Sequence, residues 1–337
     1  MSKSVVKKED EIVSALQALL KADDRLVMGD TVVTNGWVDT GIKSLNFALS
    51  GKLDKGIPWG KMIVVAGESQ SGKSFLGGRI ASNAQKDGFI VVWVDTESAV
   101  EKKFFLRIGL DPTQMVYREV SSSEQLQIAL LRLLKTAEKN KAKLFIVLDS
   151  LGNLSGSKEL ADADKEKMTS DMGNRAKSLR TALRNILPWL KYTDSILYCV
   201  NHIYISPGFI PERKMAGGLS TAYLAQQVLF LTKKKADPGK SVKVGVKVKK
   251  NREFIEDRKC EFIINFQKGL DPYDGLFELF TEFKVIKDKR GWYDVDGKSM
   301  REVDIRKDDK LMQDLISKLE EKTADLNYFS FHEGDSE

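Results

Sequence analysis

The segment that most limits what this chain can fold into is Met62-Ile63-Val64-Val65-Ala66, followed at once by Gly67-Glu68-Ser69-Gln70-Ser71-Gly72-Lys73-Ser74. A short, wholly apolar run rich in Val and Ile reads as a strand buried on both faces. The eight residues after it satisfy G-x-x-x-x-G-K-[ST] in full. Holding a polyphosphate requires these residue types at these positions. Gly67 and Gly72 let the backbone curl so that successive N–H groups converge on phosphate oxygens. The helix that opens at Lys73-Ser74 adds the positive end of its dipole. Lys73 is expected to reach the β- and γ-phosphates, and the Ser74 hydroxyl to ligate Mg²⁺. A chance glycine-rich turn is the bland alternative, and the strand before and the apolar-striped helix after argue against it. The run from Gly67 to Phe75 is therefore the expected seat of ATP.

The rest of the chain continues the same alternation. Residues 89–94, 144–148 and 196–200 are further apolar runs. Between the runs lie helical periods: one beginning at Ser74, one with Leu126, Leu130, Leu133 and Leu134 on a stripe, and one with Leu179, Leu183, Ile186 and Leu187. This is the signature of an α/β fold with a mostly parallel sheet covered by helices. After residue 227 the helices drop out, and residues 228–231, 242–248 and 260–266 read as an antiparallel extension, with a turn at Ala236-Asp237-Pro238-Gly239. Ile12, Leu16, Leu19 and Leu20 mark a short N-terminal helix whose stripe docks on its own core or on a neighbour. Leu311, Leu315 and Leu319 mark another helix near the end. Only Cys199 and Cys260 are present, which excludes a disulfide framework or zinc site and makes a reducing cytoplasm the expected location. No run of about 18 apolar residues exists to span a membrane, and the N-terminus lacks a secretion signal. Lys plus Arg number 54 against 48 for Asp plus Glu, a net +6 that permits a polyanionic partner and does not demand one.

Acids stand where apolar strands end, the place at which α/β sheets hold ligands. Asp149 closes 144–148 and is the expected metal-side carboxylate, with Ser150 beside it. An N-cap aspartate is the ordinary alternative, outweighed by the phosphate loop. Asp95 and Glu97 follow 91–94; Glu97 is the better general base towards an attacking water and Asp95 a hydrogen-bonding support, although spacing alone does not choose between them. Asn201-His202 closes a third strand, either as a reporter on the γ-phosphate or as a surface turn.

Over roughly residues 38–300 the chain resembles the RecA-family recombinases, and among them the UvsX recombinases of T4-type bacteriophages. The likeness rests on Asp149-Ser150-Leu151-Gly152-Asn153-Leu154, Ser170-Asp171-Met172, Val200-Asn201-His202, Gly217-Gly218, Gly269-Leu270-Asp271-Pro272-Tyr273 and Gly291-Trp292-Tyr293, in that order and spacing. It implies a RecA-like P-loop ATPase core at 31–270, preceded by the helical segment 1–30 and followed by a small C-terminal region, 271–337. It implies a DNA-dependent ATPase that forms a helical filament on single-stranded DNA and pairs it with homologous duplex, in recombination, repair and recombination-dependent replication. A recombination mediator and a single-strand-binding protein are implied partners, and host cytoplasm the location of a phage-encoded member. Glu97 matches the glutamate that activates water, Phe104 an aromatic packed on adenine (Tyr in bacterial RecA), and His202 a phosphate-sensing position (Gln in bacterial RecA). Lys250-Asn251-Arg252 resembles the Lys-Asn-Lys element through which a neighbouring subunit touches the γ-phosphate. Without the resemblance those cations read as a solvated strand edge.

Two long polar loops, about 155–172 and 203–221, are the candidate DNA elements. On the helix after the first, Lys177, Arg180 and Arg184 fall on one stripe opposite the leucines, an ordinary exposed face or a phosphate contact. The family's arginines at similar helix positions favour contact. The second loop carries Phe209, Pro211, Arg213, Lys214, Met215, Gly217 and Gly218, with the Arg213 and Lys214 charges and the amides near Gly217 and Gly218 expected on the phosphates. Two other readings share the phosphate loop: a hexameric RecA-like DNA helicase and a nucleotide-switched regulatory ATPase.

Overall fold

The computed structural model describes residues 21, 33–98, 100–155, 172–206, 212–215 and 219–326. The chain falls into two units, Met1–Asn35 and Gly36–Glu337. The expected N-terminal helix, Lys21 apart, lies outside the described residues.

In chain order the second unit runs β1 (Trp37–Val38), α1 (Lys43–Ser50), β2 (Ile57–Pro58), β3 (Met62–Gly67), α2 (Lys73–Lys86), β4 (Ile90–Asp95), α3 (Lys102–Arg107), β5 (Met115–Glu119), α4 (Ser123–Lys139) and β6 (Leu144–Asp149). It continues through α5 (Met172–Tyr192), β7 (Ile196–Ser206), β8 (Glu212–Met215), α6 (Leu219–Leu224), β9 (Gln227–Asp237), β10 (Ser241–Asn251), β11 (Lys259–Asn265) and β12 (Gly269–Leu270). It ends with α7 (Leu276–Glu282), β13 (Lys287–Asp288), β14 (Tyr293–Val295), β15 (Lys298–Met300), α8 (Glu302–Ile305) and α9 (Asp309–Lys322).

Among the described residues the main sheet has ten strands, in the order β12-β11-β10-β9-β3-β7-β6-β4-β5, with β8 joined to β7. From β9 to β5 neighbouring strands are parallel; from β9 to β12 they are antiparallel. The apolar runs are continuous because both faces of the parallel part are covered. Ile63, Val65, Val91, Trp93, Phe145, Val147 and Tyr198 face Leu76 and Ile80 of α2. Their alternates Met62, Val64, Val92, Val94, Ile146, Leu148 and Leu197 face Leu126, Leu130 and Leu134 of α4 and Leu179, Leu183 and Ile186 of α5. Ser122 caps α4, its hydroxyl accepting from Gln125 N at 3.2 Å. A third cluster joins Phe47 of α1 and Phe254 to Leu276, Phe277 and Phe280 of α7 and Met312, Leu315 and Leu319 of α9. No helix among the described residues is long and apolar enough to cross a membrane.

Three elements differ from expectation. β5 has no apolar run, since it is an edge strand exposed along most of its length, and so leaves no pattern to read. β9 belongs to both parts of the sheet: it lies parallel to β3 and antiparallel to β10, so the extension begins one strand later than the change in sequence character. The second polar loop is partly a hairpin. β7 runs on through Ile203, Tyr204 and Ile205, whose β-branched and aromatic side chains suit a strand, and pairs antiparallel with Glu212–Met215.

Helix α2 sits close on the sheet at Gly77, where an added Cβ would lie 2.5 Å from the ring of Tyr198. That ring is fully buried, and its hydroxyl donates to the Lys73 carbonyl at 2.9 Å. Gly77→Ala is therefore expected to destabilise the fold by about 1–3 kcal/mol despite alanine's better helix propensity, measured as a lower urea midpoint.

Candidate nucleotide site and its surrounding cations

The loop between β3 and α2 is shaped by contacts as well as by conformation. A Cβ on Gly67 would lie 2.6 Å from the Leu231 carbonyl oxygen, and Gly72 has φ +88° with Ile264 Cδ1 at 2.4 Å from where its Cβ would stand. Glycine is thus the residue both positions accept. Lys73 is buried, and its ammonium donates to the carbonyls of Gly67 at 3.0 Å and Glu68 at 2.7 Å. Burial holds that ammonium below the usual lysine range, while Asp149 and Glu97 pull it back up. The Ser71 hydroxyl is buried without a hydrogen-bond partner among the described residues.

A cavity of about 300 Å³ opens beside the loop, lined by Ser69, Gln70, Lys73, Ser74, Asp95, Glu97, Val100, Phe104, Asp149, Val200 and His202. Nine of these were singled out in the sequence from five separate segments; the fold makes them one wall. Burial pushes the Asp149 carboxyl above the usual carboxylate range, and a hydrogen bond from the Ser74 side chain opposes it. Phe104 packs edge-on against Trp93 at 5.7 Å, leaving a ring on the cavity wall. Phe75 instead packs, half-buried, against the core. An orphaned buried hydroxyl, a buried cation and a Ser–Asp pair fit a nucleotide's phosphates with Mg²⁺: Lys73 would face the phosphates, and Ser74 and Asp149 would hold the metal.

The strand-end acids divide their work. Asp95 is buried and accepts from Glu97 N at 2.8 Å, Ser98 N at 2.9 Å, Val100 N at 3.2 Å and the Tyr117 hydroxyl at 2.9 Å. It therefore shapes the segment that presents Glu97, the supporting part expected of it. Glu97 keeps its carboxylate 40% exposed at the cavity and faces His202 Nε2 at 3.4 Å. It also accepts from Asn153 and Ser150. Reading the sequence missed Asn153 and Tyr117 as partners. The one available signal was a polar residue just beyond a buried strand, and nothing in Tyr117's exposed strand announced its bond.

Lys250 and Arg252 do not line this cavity. The Lys250 ammonium donates to the carbonyls of Ala222 at 2.9 Å, Tyr223 at 2.9 Å and Ala225 at 2.7 Å, and Arg252 donates to Tyr223 at 3.2 Å. Both cations thus sit on the C-terminal end of α6. Burial, with Arg252 nearby, keeps the Lys250 ammonium below the usual lysine range. On α5, Lys177, Arg180 and Arg184 are exposed while Leu179, Leu183 and Ile186 are buried. Arg213 and Lys214 lie on β8. Gly217 and Gly218, Phe209 and Pro211, and most of the first polar loop (156–171) lie outside the described residues.

The depressed value of Lys73 fixes a pH dependence. A folded-state value below the unfolded 10.5 means that the unfolded chain keeps this proton to higher pH. The stability of the wild type relative to Lys73→Met should be flat below the folded value. It should rise as pH climbs from there towards the unfolded one, as read by urea unfolding of both proteins across the alkaline range.

Comparison with known proteins agrees with this geometry. The "Recombination and repair protein" of Enterobacteria phage T4 is 32% identical over 262 residues, a stretch that covers 76% of this chain and 66%, just under two thirds, of that relative. The family model described as RecA N-terminal domain matches residues 23–271, which take in the phosphate loop, all the strand-end acids and the cations of β10. By that match the chain belongs to the RecA family.

Proposed function

We propose that the chain is a DNA-dependent ATPase that polymerises as a helical filament on single-stranded DNA and carries out homologous pairing and strand exchange. The phage T4 relative is named for recombination and repair, and the same role is assigned here. A single observation supports the reading most: Lys73, Ser74, Asp149, Glu97 and His202 line one cavity at the head of a phosphate-binding loop.

In this mechanism the loop and Lys73 bind and orient the polyphosphate, the ammonium exchanging its two carbonyl partners for phosphate oxygens. Ser74 and Asp149 would hold Mg²⁺, which when bound would supply charge neutralisation on the phosphates. Glu97 accepts the proton of the attacking water, and Asp95 keeps Glu97's backbone in place. Phe104 offers its ring to the base. His202 faces Glu97 and directly precedes the part of β7 that pairs with β8, so a group on the terminal phosphate bears on the hairpin that carries Arg213 and Lys214. Lys250 and Arg252, absent from their own subunit's cavity, serve that of a neighbour. The exposed cations of α5 meet phosphates of the single strand without reading bases. A mediator and a single-strand-binding protein are the partners such a filament requires.

Lys73→Ala is expected to abolish turnover, checked by release of inorganic phosphate; wild-type hydrolysis would remove the loop assignment. Lys250→Ala should lose activity alone and recover it when mixed with Lys73→Ala subunits, because each supplies what the other lacks. No recovery on mixing would count against a trans role. Electron microscopy with single-stranded DNA and a non-hydrolysable ATP analogue should show helical filaments, whereas closed six-membered rings would favour the helicase.

A further inference from the structure

Among the described residues, all the hydrogen bonds the Glu97 carboxylate accepts fall on one oxygen. Oε1 takes the Asn153 carboxamide Nδ2 at 2.6 Å and the Ser150 hydroxyl at 3.3 Å, and faces His202 Nε2 at 3.4 Å. Oε2 takes none among the described residues. The Asn153 contact is much the shortest, and it comes from a group that is a hydrogen-bond donor at any pH, unlike an imidazole.

Asn153 is well placed to hold a partner still. It ends the short turn Leu151–Asn153 that follows β6. Leu151 and Leu154 on either side are buried in the core beneath α4 and α5. Ser155, two residues on, bonds through its backbone to Ser121 at 2.9 Å and Ser123 at 3.1 Å. The Gly152 carbonyl accepts from the Arg175 guanidinium near the start of α5. The turn is thus fixed from β6, from α4 and from α5, while the asparagine itself remains exposed beside Glu97.

We propose that Asn153 is a positioning residue for Glu97: its carboxamide pins Oε1 and leaves Oε2 as the oxygen that takes the proton of the attacking water. The inference rests on the reading of Glu97 as the base. In the step it serves, the water oxygen bonds to the terminal phosphorus and the bond from that phosphorus to the leaving phosphate oxygen breaks with its electron pair. The water's proton passes to Oε2. A carboxylate free to rotate presents either oxygen over a range of directions; one held by a short bond presents Oε2 in one direction, and a small misplacement of a reacting group costs rate steeply.

The test is steady-state hydrolysis of Mg-ATP on a poly(dT) oligonucleotide by wild type, Asn153→Ala, Asn153→Asp and Glu97→Gln, with pH profiles of kcat. Asn153→Ala should lower kcat by about tenfold or more with KM for ATP within about twofold, since the contact acts on the reacting geometry and not on binding. Its acid limb should move to higher pH, because a donor to the charged carboxylate has been removed. A structural role alone would lower the melting temperature and leave that limb where it was. Asn153→Asp sets a second carboxylate beside Glu97 and should move the limb further in the same direction. Near-wild-type kcat and an unmoved limb in a folded Asn153→Ala, with Glu97→Gln inactive, would overturn the inference and spare the base. Wild-type turnover by Glu97→Gln would instead remove the base, and this proposal with it. Should Asn153→Ala fail to fold, Asn153→Leu, which keeps the side chain's bulk without its amide, decides by the same split of kcat from KM.

Discussion

The parallel register of β3 against its neighbours is the constraint on which the site depends. Gly67 lies opposite His202 of β7 and Leu231 of β9, and Asp95 of β4 lies opposite Asp149 of β6. The ends of β3, β4 and β6 are thereby brought together beside His202 within the longer β7, and the groups at and just past those ends meet around one small cavity. A slip of one residue in any of these pairs would turn a strand's buried side chains to the opposite face, so the two hydrophobic layers that clamp the sheet also hold the chemistry in line. Stability and function are not separate demands on this sheet. The buried Tyr198 illustrates it, filling the layer beneath Gly77 while its hydroxyl holds the first turn of the phosphate-binding helix.

What could be read without coordinates was what burial writes into a sequence. Residues 62–66 and 144–148 are apolar because both their faces are covered, and Gly67 and Gly72 are glycine because Leu231 and Ile264 crowd them. The phosphate loop, Asp149 and the stripes of α4 and α5 followed from these marks. β5 did not, since an exposed edge strand has no burial to record. Nor did Asn153 or Tyr117: each meets its partner at the site, Glu97 or Asp95, across a long sequence gap, and a polar residue at the surface looks alike whether or not it has such a partner. The roles expected of Phe104, Lys250 and Arg252 come from likeness to a family rather than from physical pattern, and for His202 the strand-end position left a phosphate reporter and a surface turn open until the likeness favoured the first. Their geometry here adds something the likeness did not contain, namely that Lys250 is already engaged within its own subunit.

The antiparallel extension is more than an appendage to this arrangement. Ile264 of β11 rests directly over Gly72, so the far side of the extension touches the phosphate loop itself. β9 is the hinge of the design, bound to β3 on one edge and to β10 on the other. At its start Gln227 and Asn251 bond to each other at 3.3 Å and both donate to the Leu49 carbonyl, tying the strand bottoms to α1. The loop that would hold nucleotide is thus braced from both sides of the sheet.

The three carbonyl bonds of Lys250 carry one further consequence. Its ammonium satisfies the end of α6 as a helix-capping cation does, so that the lysine is in effect a latch on the segment following the β7–β8 hairpin. Anything that draws the ammonium away must offer at least as many acceptors, because hydrogen bonds from a charged donor are worth roughly 1.5–3 kcal/mol each. An array of phosphate oxygens meets that requirement where a single carboxylate would not. Lys250 thus ties the last residues of β10 to the end of α6 through three charged hydrogen bonds, a cross-link where a sequence shows only a lysine at the end of a strand.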